Sequence, residues 1–571
     1  MKNLLVAINA KYIHSNLGVR TIQKYLQANT NYSLEVKEYT INQHLDYILS
    51  DIYLQNPDIL GFSCYIWNFE YIKTLSCEIK KILPSVKIIW GGPEVSYKSE
   101  NYLNGFTDYI ICGEGEEKFT ELITKLEQGE IIGQRIIFGS PVDMNAVPFV
   151  YDDLSLFKNK IIYYESSRGC PFSCQYCMSS IEKRVHYLSL ERTLSELSYF
   201  LDNKVRQVKF IDRTFNCNKK RTLQIWKHLI NNDNGVTNFH FEIAAEMLDD
   251  ECIDMLSKVR KGFFQLEIGV QSTNVKTLEA VKRYTNIKSV FVIVSKLLNM
   301  KNIHIHLDLI AGLPYEDIKI FENSFNEVYS YRPHQLQLGF LKVLKGAGVY
   351  ENAEEFGLLY TEKPPYEVLQ TKWLSYKDII KLKIVEDMVE RYYNSNRYKL
   401  MCEYLSSMYD SEYQFFYELG YYYVSNSYNV ATVSEMDSYT VLYDFAKSNQ
   451  KSFKNIEIDK IISYSRFDIY SHKKAKKIPN WLNEDYNIKY KYLIREFYQN
   501  EKFRAKYLNG YEKFDSKQLA NITHLEIFNI NPITNANELT AILFDYRDCD
   551  ILGNAKTTNV TDCVFTKDFN E

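Results

Sequence analysis

No apolar run in the 571-residue sequence nears the ~20 residues needed to cross a membrane. The N-terminal Leu4-Leu5-Val6-Ala7-Ile8 is too short for a signal-peptide core, and no small-residue cleavage site follows it. Neither sign of charge dominates. Lysine and arginine number 68 against 72 acidic residues, a net charge of −4 that excludes a global basic field for nucleic acid or anionic membrane. No repeat of fixed period and no low-complexity tether is present, and 46 % hydrophobic with 25 % charged residues suits packed globular structure. At this length several domains are expected. The chain reads as soluble and cytoplasmic, so its eleven cysteines should be mostly reduced. Eight of them are scattered: Cys64, Cys77, Cys112, Cys217, Cys252, Cys402, Cys549 and Cys563.

The first ~130 residues alternate short apolar runs with helical stretches. Strands are expected at 4–10, 58–63, 86–90 and 109–112, with helices at 17–27, 71–82 and 116–126. That alternation predicts a doubly wound parallel sheet whose ligands sit at the carboxyl ends of its strands. Those ends carry Ser63-Cys-Tyr-Ile-Trp-Asn68, Gly91-Gly-Pro-Glu94 and Gly113-Glu-Gly-Glu116. A linker is expected at 133–158, broken by Pro141 and Pro148.

Six further strand–helix units follow, with strands near 161–165, 207–211, 238–244, 263–268, 303–309 and 335–341. Six units fall short of a full barrel, so 159–350 reads as an open, partial (β/α)6 barrel with its chemistry in the loops after the strands. From 351 to 571 the pattern becomes a mainly helical α+β region. Helices are expected at 373–393 and 410–425, and strands at 525–531 and 540–545. The excess tyrosine there suits packing more than substrate stacking. The basic stretch His472-Lys-Lys-Ala-Lys-Lys477 reads as a solvated helix face or loop rather than a phosphate contact.

Three cysteines are not scattered. Arg168-Gly-Cys-Pro-Phe-Ser-Cys-Gln-Tyr-Cys177 sets Cys170, Cys174 and Cys177 in the spacing Cys-x-x-x-Cys-x-x-Cys, directly after the first barrel strand. Chance would supply about 0.004 such triplets in this chain, so the cluster demands a chemical cause. Thiolates on a short loop suit zinc or an iron–sulfur cluster. No fourth cysteine or histidine lies nearby to complete a structural zinc site, whereas three ligands leave one iron of a 4Fe-4S cluster open.

The triplet, with aromatic Tyr176 before its last cysteine, resembles the signature of radical S-adenosylmethionine (SAM) enzymes. Phe210-Ile-Asp-Arg-Thr-Phe-Asn216, Ile268-Gly-Val-Gln-Ser272 and Asp308-Leu-Ile-Ala-Gly-Leu-Pro314 resemble later strand-end motifs of that family. The resemblance implies that SAM chelates the open iron and that one electron splits it into methionine and a 5′-deoxyadenosyl radical. A flavodoxin or ferredoxin would supply the electron. Asp212 is then a candidate for the SAM ammonium, with a helix cap as the bland reading. Arg213 is a candidate for a carboxylate, or an ordinary surface arginine. Glu246 and Gln271 are candidates for ribose hydroxyls, and Gly312 with Leu313 for the adenine, unless they form only a turn.

The first 132 residues resemble the cobalamin-binding domain often fused ahead of such a barrel. Ser63, Tyr65, Trp67, Asn68, Gly91, Gly92, Pro93, Glu94, Gly113, Glu114 and Gly115 are the residues that this likeness assigns to the corrin. The cobalt-ligating Asp-x-His-x-x-Gly of cobalamin mutases is absent, and His14 and His44 lack its context. The C-terminal region resembles an accessory domain of unknown function. Together these imply a cobalamin-dependent radical SAM enzyme that methylates an unactivated carbon of an unnamed substrate. Two other readings stand beside it. One is methylthio transfer to transfer RNA, with Cys64, Cys77 and Cys112 holding a second cluster. The other is a non-catalytic corrinoid- or redox-responsive binding protein.

Overall fold

The computed structural model describes residues 1–103, 105–450, 456–482 and 486–565. The expected C-terminal region therefore lies outside the described residues at 451–455, 483–485 and 566–571. The chain divides into two compact units. The first is Met1–Ile303 with Ile310–Ile318 and Gly339–Tyr376; the second is His304–Leu309 with Lys319–Leu338 and Lys377–Glu571.

The first unit opens with β1 (Asn3–Asn9), α1 (Leu17–Asn29), β2 (Glu35–Thr40), α2 (Leu45–Gln55), β3 (Ile59–Ser63), α3 (Phe69–Ile82), β4 (Lys87–Gly91), β5 (Tyr109–Cys112), α4 (Glu116–Glu127) and β6 (Ile136–Phe138). The strands form one parallel sheet in the order β2-β1-β3-β4-β5-β6. Alternate side chains of β1 enter different cores, which is why the whole strand is apolar but for its ends. Leu5 and Ala7 pack with Val19, Leu26, Phe119 and Ile123 of α1 and α4. Leu4, Val6 and Ile8 pack with Ile48, Ile72 and Leu75 of α2 and α3. Strand order reverses between β1 and β3, the switch point at which doubly wound sheets open a crevice for ligands.

Two elements of this sheet were not anticipated. β2 lies at the edge, and its Glu35, Lys37 and Glu38 leave no apolar run to read: Glu35 faces water, while the Glu38 side chain is buried against Arg20 at 2.7 Å and Lys160 at 3.4 Å. β6 falls inside the stretch expected to be a linker; Ile136 and Ile137 pair with Ile110 and Ile111 and extend the sheet.

The second sheet of this unit begins at β7 (Ile162–Tyr164), followed by the short hairpin strands β8 (Ser167–Arg168) and β9 (His186–Tyr187). Then come α5 (Leu190–Asp202), β10 (Gln207–Phe210), α6 (Lys219–Asn231), β11 (Asn238–Ile243), α7 (Asp250–Ser257), β12 (Phe264–Gln271), α8 (Val275–Ala280) and α9 (Ile287–Met300). β7, β10, β11 and β12 are parallel neighbours. Phe210, Phe239, Phe241 and Phe264 are buried along with Phe200, Trp226 and Leu229 of the covering helices. Strand residues of opposite parity form a polar layer, where Glu267 meets Lys209 at 3.2 Å and His240 at 2.8 Å. The strands His304–Ala311 and Gln335–Phe340 follow in the chain and are the last two of the six strands expected. The expected border at 350/351 does not coincide with that of the compact unit. The segment to Tyr376 stays with the first unit because Tyr366 donates to buried Glu94, and Asn352 donates to Gln175 at 3.0 Å.

The second unit is mainly helical, with helices Tyr376–Met388, Lys399–Ser406, Glu412–Ser425, Glu435–Asn449 and Ile458–His472. A three-stranded antiparallel sheet follows: Thr523–Phe528, Thr540–Cys549 and Ala555–Asn559. Its tyrosines pack. Tyr392, Tyr398, Tyr423 and Tyr439 are fully buried, and the hydroxyls of Tyr392 and Tyr423 lie 2.5 Å apart. Arg466 pairs with Glu526 inside this unit. Asp468 accepts the backbone N–H groups of Leu400 and Met401 at 3.0 Å each, capping a helix whose own N-cap residue, Tyr398, gives no side-chain bond. Among the described residues no helix is long and apolar enough to cross a membrane.

Candidate functional site

β7 delivers the chain into the cysteine loop, and the β8–β9 pairing clamps the loop at its base. Gly169 turns the chain at φ +90°; a Cβ there would stand 2.4 Å from the Arg184 carbonyl oxygen, so only glycine fits. Cys170 N–H donates to Glu182 O at 3.0 Å and Cys177 N–H to Cys174 O at 3.1 Å. Cys170 and Cys174 are buried and Cys177 is half-buried; all three are free thiols. Cys170 Sγ lies 3.6 Å from Thr214 Oγ1. Three free thiols on one loop are the donor set that a 4Fe-4S cluster with one open iron requires.

Arg283, in the turn after α8, belongs to no motif legible in the sequence. Its guanidinium reaches Cys174 Sγ at 3.8 Å, Tyr176 OH at 3.4 Å and the carbonyl of Gly269. Burial opposes its charge, but Tyr176, Cys174 and Glu246 around it outweigh that and raise its pKa. Arg283 thus ties the cysteine loop to the end of β12. Glu246 accepts a hydrogen bond from Thr285.

The expected SAM contacts divide between several surroundings. Asp212 is buried and faces back toward β7, accepting from Ser166 N–H at 2.7 Å, Ser166 Oγ at 2.6 Å and Ser167 Oγ at 2.7 Å. Burial pushes its carboxyl above the usual range, an effect partly offset by those serine bonds. It caps no helix. Its neighbour Arg213 points the other way and lines a cavity. Gln271 ends β12 at φ +71°, and its Oε1 is buried without a hydrogen-bond partner. An orphaned buried acceptor costs free energy unless a ligand supplies a donor, which a ribose hydroxyl does. Gly312, backed by Val368, and fully buried Leu313 lie in the turn after strand His304–Ala311.

A cavity of about 450 Å³ opens at the carboxyl ends of the first sheet. Its wall includes Ser63, Tyr65, Gly91, Gly92, Pro93, Gly113, Glu114 and Gly115. Glu165, Arg168, Met178, Ser179, Ile211 and Arg213 of the barrel half close the same space. Gly92, at φ +107°, brings its backbone so close to Cys64 that a Cβ would stand 2.6 Å from that carbonyl oxygen. Gly91 is different, for a Cβ there would touch only Ile111 O at 3.6 Å and point into open space. Backbone free of side chains along two strand ends is the cradle that a flat corrin ring needs.

Three of the expected corrin residues lie off this wall. Asn68 is fully buried and closes the turn into α3, donating to Ile8 O at 3.0 Å and Ser63 O at 2.9 Å. Trp67 stacks on Tyr65 at 4.3 Å and donates to Ile8 O at 3.1 Å. Glu94 is buried against Tyr102 and Tyr366.

Arg168 opens the cysteine run. Its guanidinium meets Glu114 and Glu116 at 2.7 Å each and Glu165 at 2.8 Å. Burial raises the Glu116 carboxyl, yet Arg168 beside it wins and holds it below the usual value. Burial dominates at Glu165, which stays raised despite the same arginine. One cation two residues from Cys170 therefore binds the second glycine-rich loop to the base of the cysteine loop.

Comparison with known families covers most of the chain. Residues 3–123 match the model of the B12 binding domain, and 164–328 match that of the radical SAM superfamily. Residues 354–544 match a family described as a protein of unknown function, DUF4080. The chain joins a B12-binding domain to a radical SAM domain. These domains imply a 4Fe-4S cluster, SAM and cobalamin as cofactors. The chain is 24 % identical over 356 residues to the cobalamin-dependent radical SAM methyltransferase TokK of Streptomyces tokunonensis, spanning 54 % of this chain and 51 % of that protein. It is 23 % identical over 359 residues to 2-(S-pantetheinyl)-carbapenam-3-carboxylate methyltransferase of Streptantibioticus cattleyicolor, spanning 54 % and 52 %. The chain thus spans about half the length of these curated relatives. In fold it resembles the cobalamin-dependent SAM radical enzyme OxsB with aqua-cobalamin and SAM bound. That match has a TM-score of 0.55 and 15 % identity, over 82 % of this chain and 79 % of that one.

Proposed function

We propose that this chain is a cobalamin-dependent radical SAM methyltransferase acting on an unactivated carbon. The observation that carries the reading is the shared cavity, walled on one side by the glycine-rich strand ends and on the other by residues flanking the cysteine loop. When bound, the cluster supplies the electron that cleaves SAM, and cobalamin carries the methyl group to be transferred. Cys170, Cys174 and Cys177 hold the cluster, and Arg283 offers Cys174 a charge-assisted hydrogen bond. Gln271 Oε1 accepts from a SAM hydroxyl. Arg213, from the cavity wall, pairs with a carboxylate, while Asp212 fixes the serines that lead into the loop. The glycine strand ends orient the corrin, and the apolar wall of Phe62, Ile89 and Ile111 excludes water.

In this reading the division of labour is 1–132 for cobalamin, 159–350 for SAM and 351–571 for an accessory role. The chain works in the cytoplasm, where its thiols stay reduced, with a flavodoxin or ferredoxin as reductant. A second N-terminal cluster fits poorly. Cys64 and Cys112 are core residues, Cys112 Sγ lies 3.0 Å from Ser99 Oγ, and Cys77 sits within α3. The test is anaerobic incubation of the reconstituted protein with SAM and a strong reductant. Formation of 5′-deoxyadenosine by the native chain but not by Cys174→Ala supports the reading. Intact iron content without SAM cleavage overturns it.

A further inference from the structure

A second cavity, of about 580 Å³, lies wholly within the second unit and has no part in the site above. Helix Lys491–Gln499 walls it with Lys491, Ile494, Arg495, Tyr498 and Gln499, a single stripe at i, i+3, i+4, i+7 and i+8. Ser516, Lys517 and Ala520 of helix Ser516–Ile522 face it, as do His524 and Leu525 of the following strand. Lys474 completes the lining; its ammonium is anchored on the carbonyls of Ala520 and Thr523.

The charge is one-sided. Lys474, Lys491, Arg495 and Lys517 line the space, and among the described residues no aspartate or glutamate does. His524 is held by Glu526 at 2.6 Å and stacks on Tyr470 at 4.0 Å. Local helix stability does not explain the arrangement. Lys491 and Arg495 are like charges at i, i+4, which repel. Lys491 also opens its helix, at the end where the helix dipole disfavours a cation. Such crowding is relieved when an anion binds. Ile494, Leu525 and the Tyr498 ring add an apolar wall beside the cations, so the matching ligand carries both an anionic head and an apolar body.

We propose that this cavity binds an organic phosphate monoester, its phosphate met by Lys491, Arg495 and Lys517 and its organic part by Ile494, Tyr498 and Leu525. Phosphate is favoured over a single carboxylate because its second charge and extra oxygens match a fork-shaped arginine flanked by lysines.

The test is calorimetric titration of the full-length reconstituted protein with hexyl phosphate, hexanol, inorganic phosphate and a ten-nucleotide single-stranded RNA. Hexyl phosphate should bind at least tenfold more tightly than each of the other three. The double substitution Lys491→Glu/Arg495→Glu should weaken it tenfold or more. Lys517→Glu should also weaken it, and Lys502→Glu, an exposed cation outside the lining, should leave it unchanged. All these side chains are exposed, and unchanged iron content and thermal midpoint would show that the variants fold. No detectable hexyl phosphate binding, equal losses in Lys502→Glu, or tighter binding of the RNA would each overturn the proposal. Because the readout is binding, it stands or falls apart from SAM cleavage.

Discussion

In the first unit the residues around the cavity come in short runs at the carboxyl ends of parallel strands: Gly91-Gly-Pro93, Gly113-Glu-Gly115 and Arg168-Gly-Cys170. In the second unit the cations around the basic cavity come from three separated elements, at Lys474, at Lys491 with Arg495, and at Lys517. A parallel sheet collects its strand ends on one edge, so a few residues per loop suffice to build a site. A helical unit closed by an antiparallel sheet has no such edge, and its surface chemistry is assembled only when helices pack. The first unit accordingly predicts sharp losses on single substitutions, and the second predicts gradual ones.

The largest effect is expected at the cysteine loop. Cys170→Ala, Cys174→Ala or Cys177→Ala should lose iron and lower SAM cleavage on the order of a thousandfold or more, since the electron source disappears. Iron assay and product chromatography check this. Thermal unfolding of the second unit should be unchanged, which would sharpen the contrast between the units.

Next in size is Arg168→Met. It leaves Glu114, Glu116 and Glu165 without their cation, and uncompensated carboxylates in a largely buried site cost about 3–5 kcal/mol. Its pH dependence carries a definite sign. Glu116 is depressed in the folded protein, so its contribution is present above the unfolded value of 4.5 and is lost as pH falls through the folded one. In the variant the buried carboxylates should prefer protons, and stability should instead rise on acidification below neutrality. Thermal melts between pH 4 and 8 distinguish the two slopes. A variant as stable as the native chain would break the view that this arginine holds the two loops together.

Gly91→Phe is aimed at the cavity alone. Its Cβ meets no clash, so the ring fills the space that the corrin needs. Cobalamin retention should fall at least about tenfold while iron content and fold are kept.

The smallest effect is expected in the second unit, at Asp468. Burial raises this carboxyl to about 8, despite the backbone N–H groups of Met401 and Leu400. The folded state keeps a proton that the unfolded state releases near 3.8, so this stabilisation is full below that pH and is lost as pH rises toward about 8. Asp468→Asn mimics the protonated form. It should match the native chain within about 1 kcal/mol at pH 5 and exceed it at pH 9, whereas Asp468→Ala loses the cap and about 1–2 kcal/mol.

The strands and helices of the first unit were legible because each strand carries a buried apolar run and each helix an amphipathic repeat. β2 was not, since Glu35, Lys37 and Glu38 interrupt any apolar run, nor β6, whose three residues sit among loop-forming prolines and glycines. The cysteine triplet and the glycine runs stand out in the sequence because each gathers its residues in one short run at a strand end. Arg283 was not, because it reaches Cys174 from a turn more than a hundred residues later. Asn68 shows the converse case. Its place beside the strand end suggested a ligand contact, but both hydrogens of its amide serve backbone carbonyls. The third C-terminal strand, Ala555–Asn559, also went unread; Lys556, Thr557 and Thr558 give it no apolar run.

The central claim is that one cavity serves two cofactor-binding halves. The most direct test is iron and cobalt content with the visible spectrum, after oxygen-free reconstitution with hydroxocobalamin and desalting. About four irons and one cobalt retained per chain, with cobalt lost selectively in Gly91→Phe, is the result expected. Four irons without cobalt would contradict the account and remove the methyl-transfer reading with it.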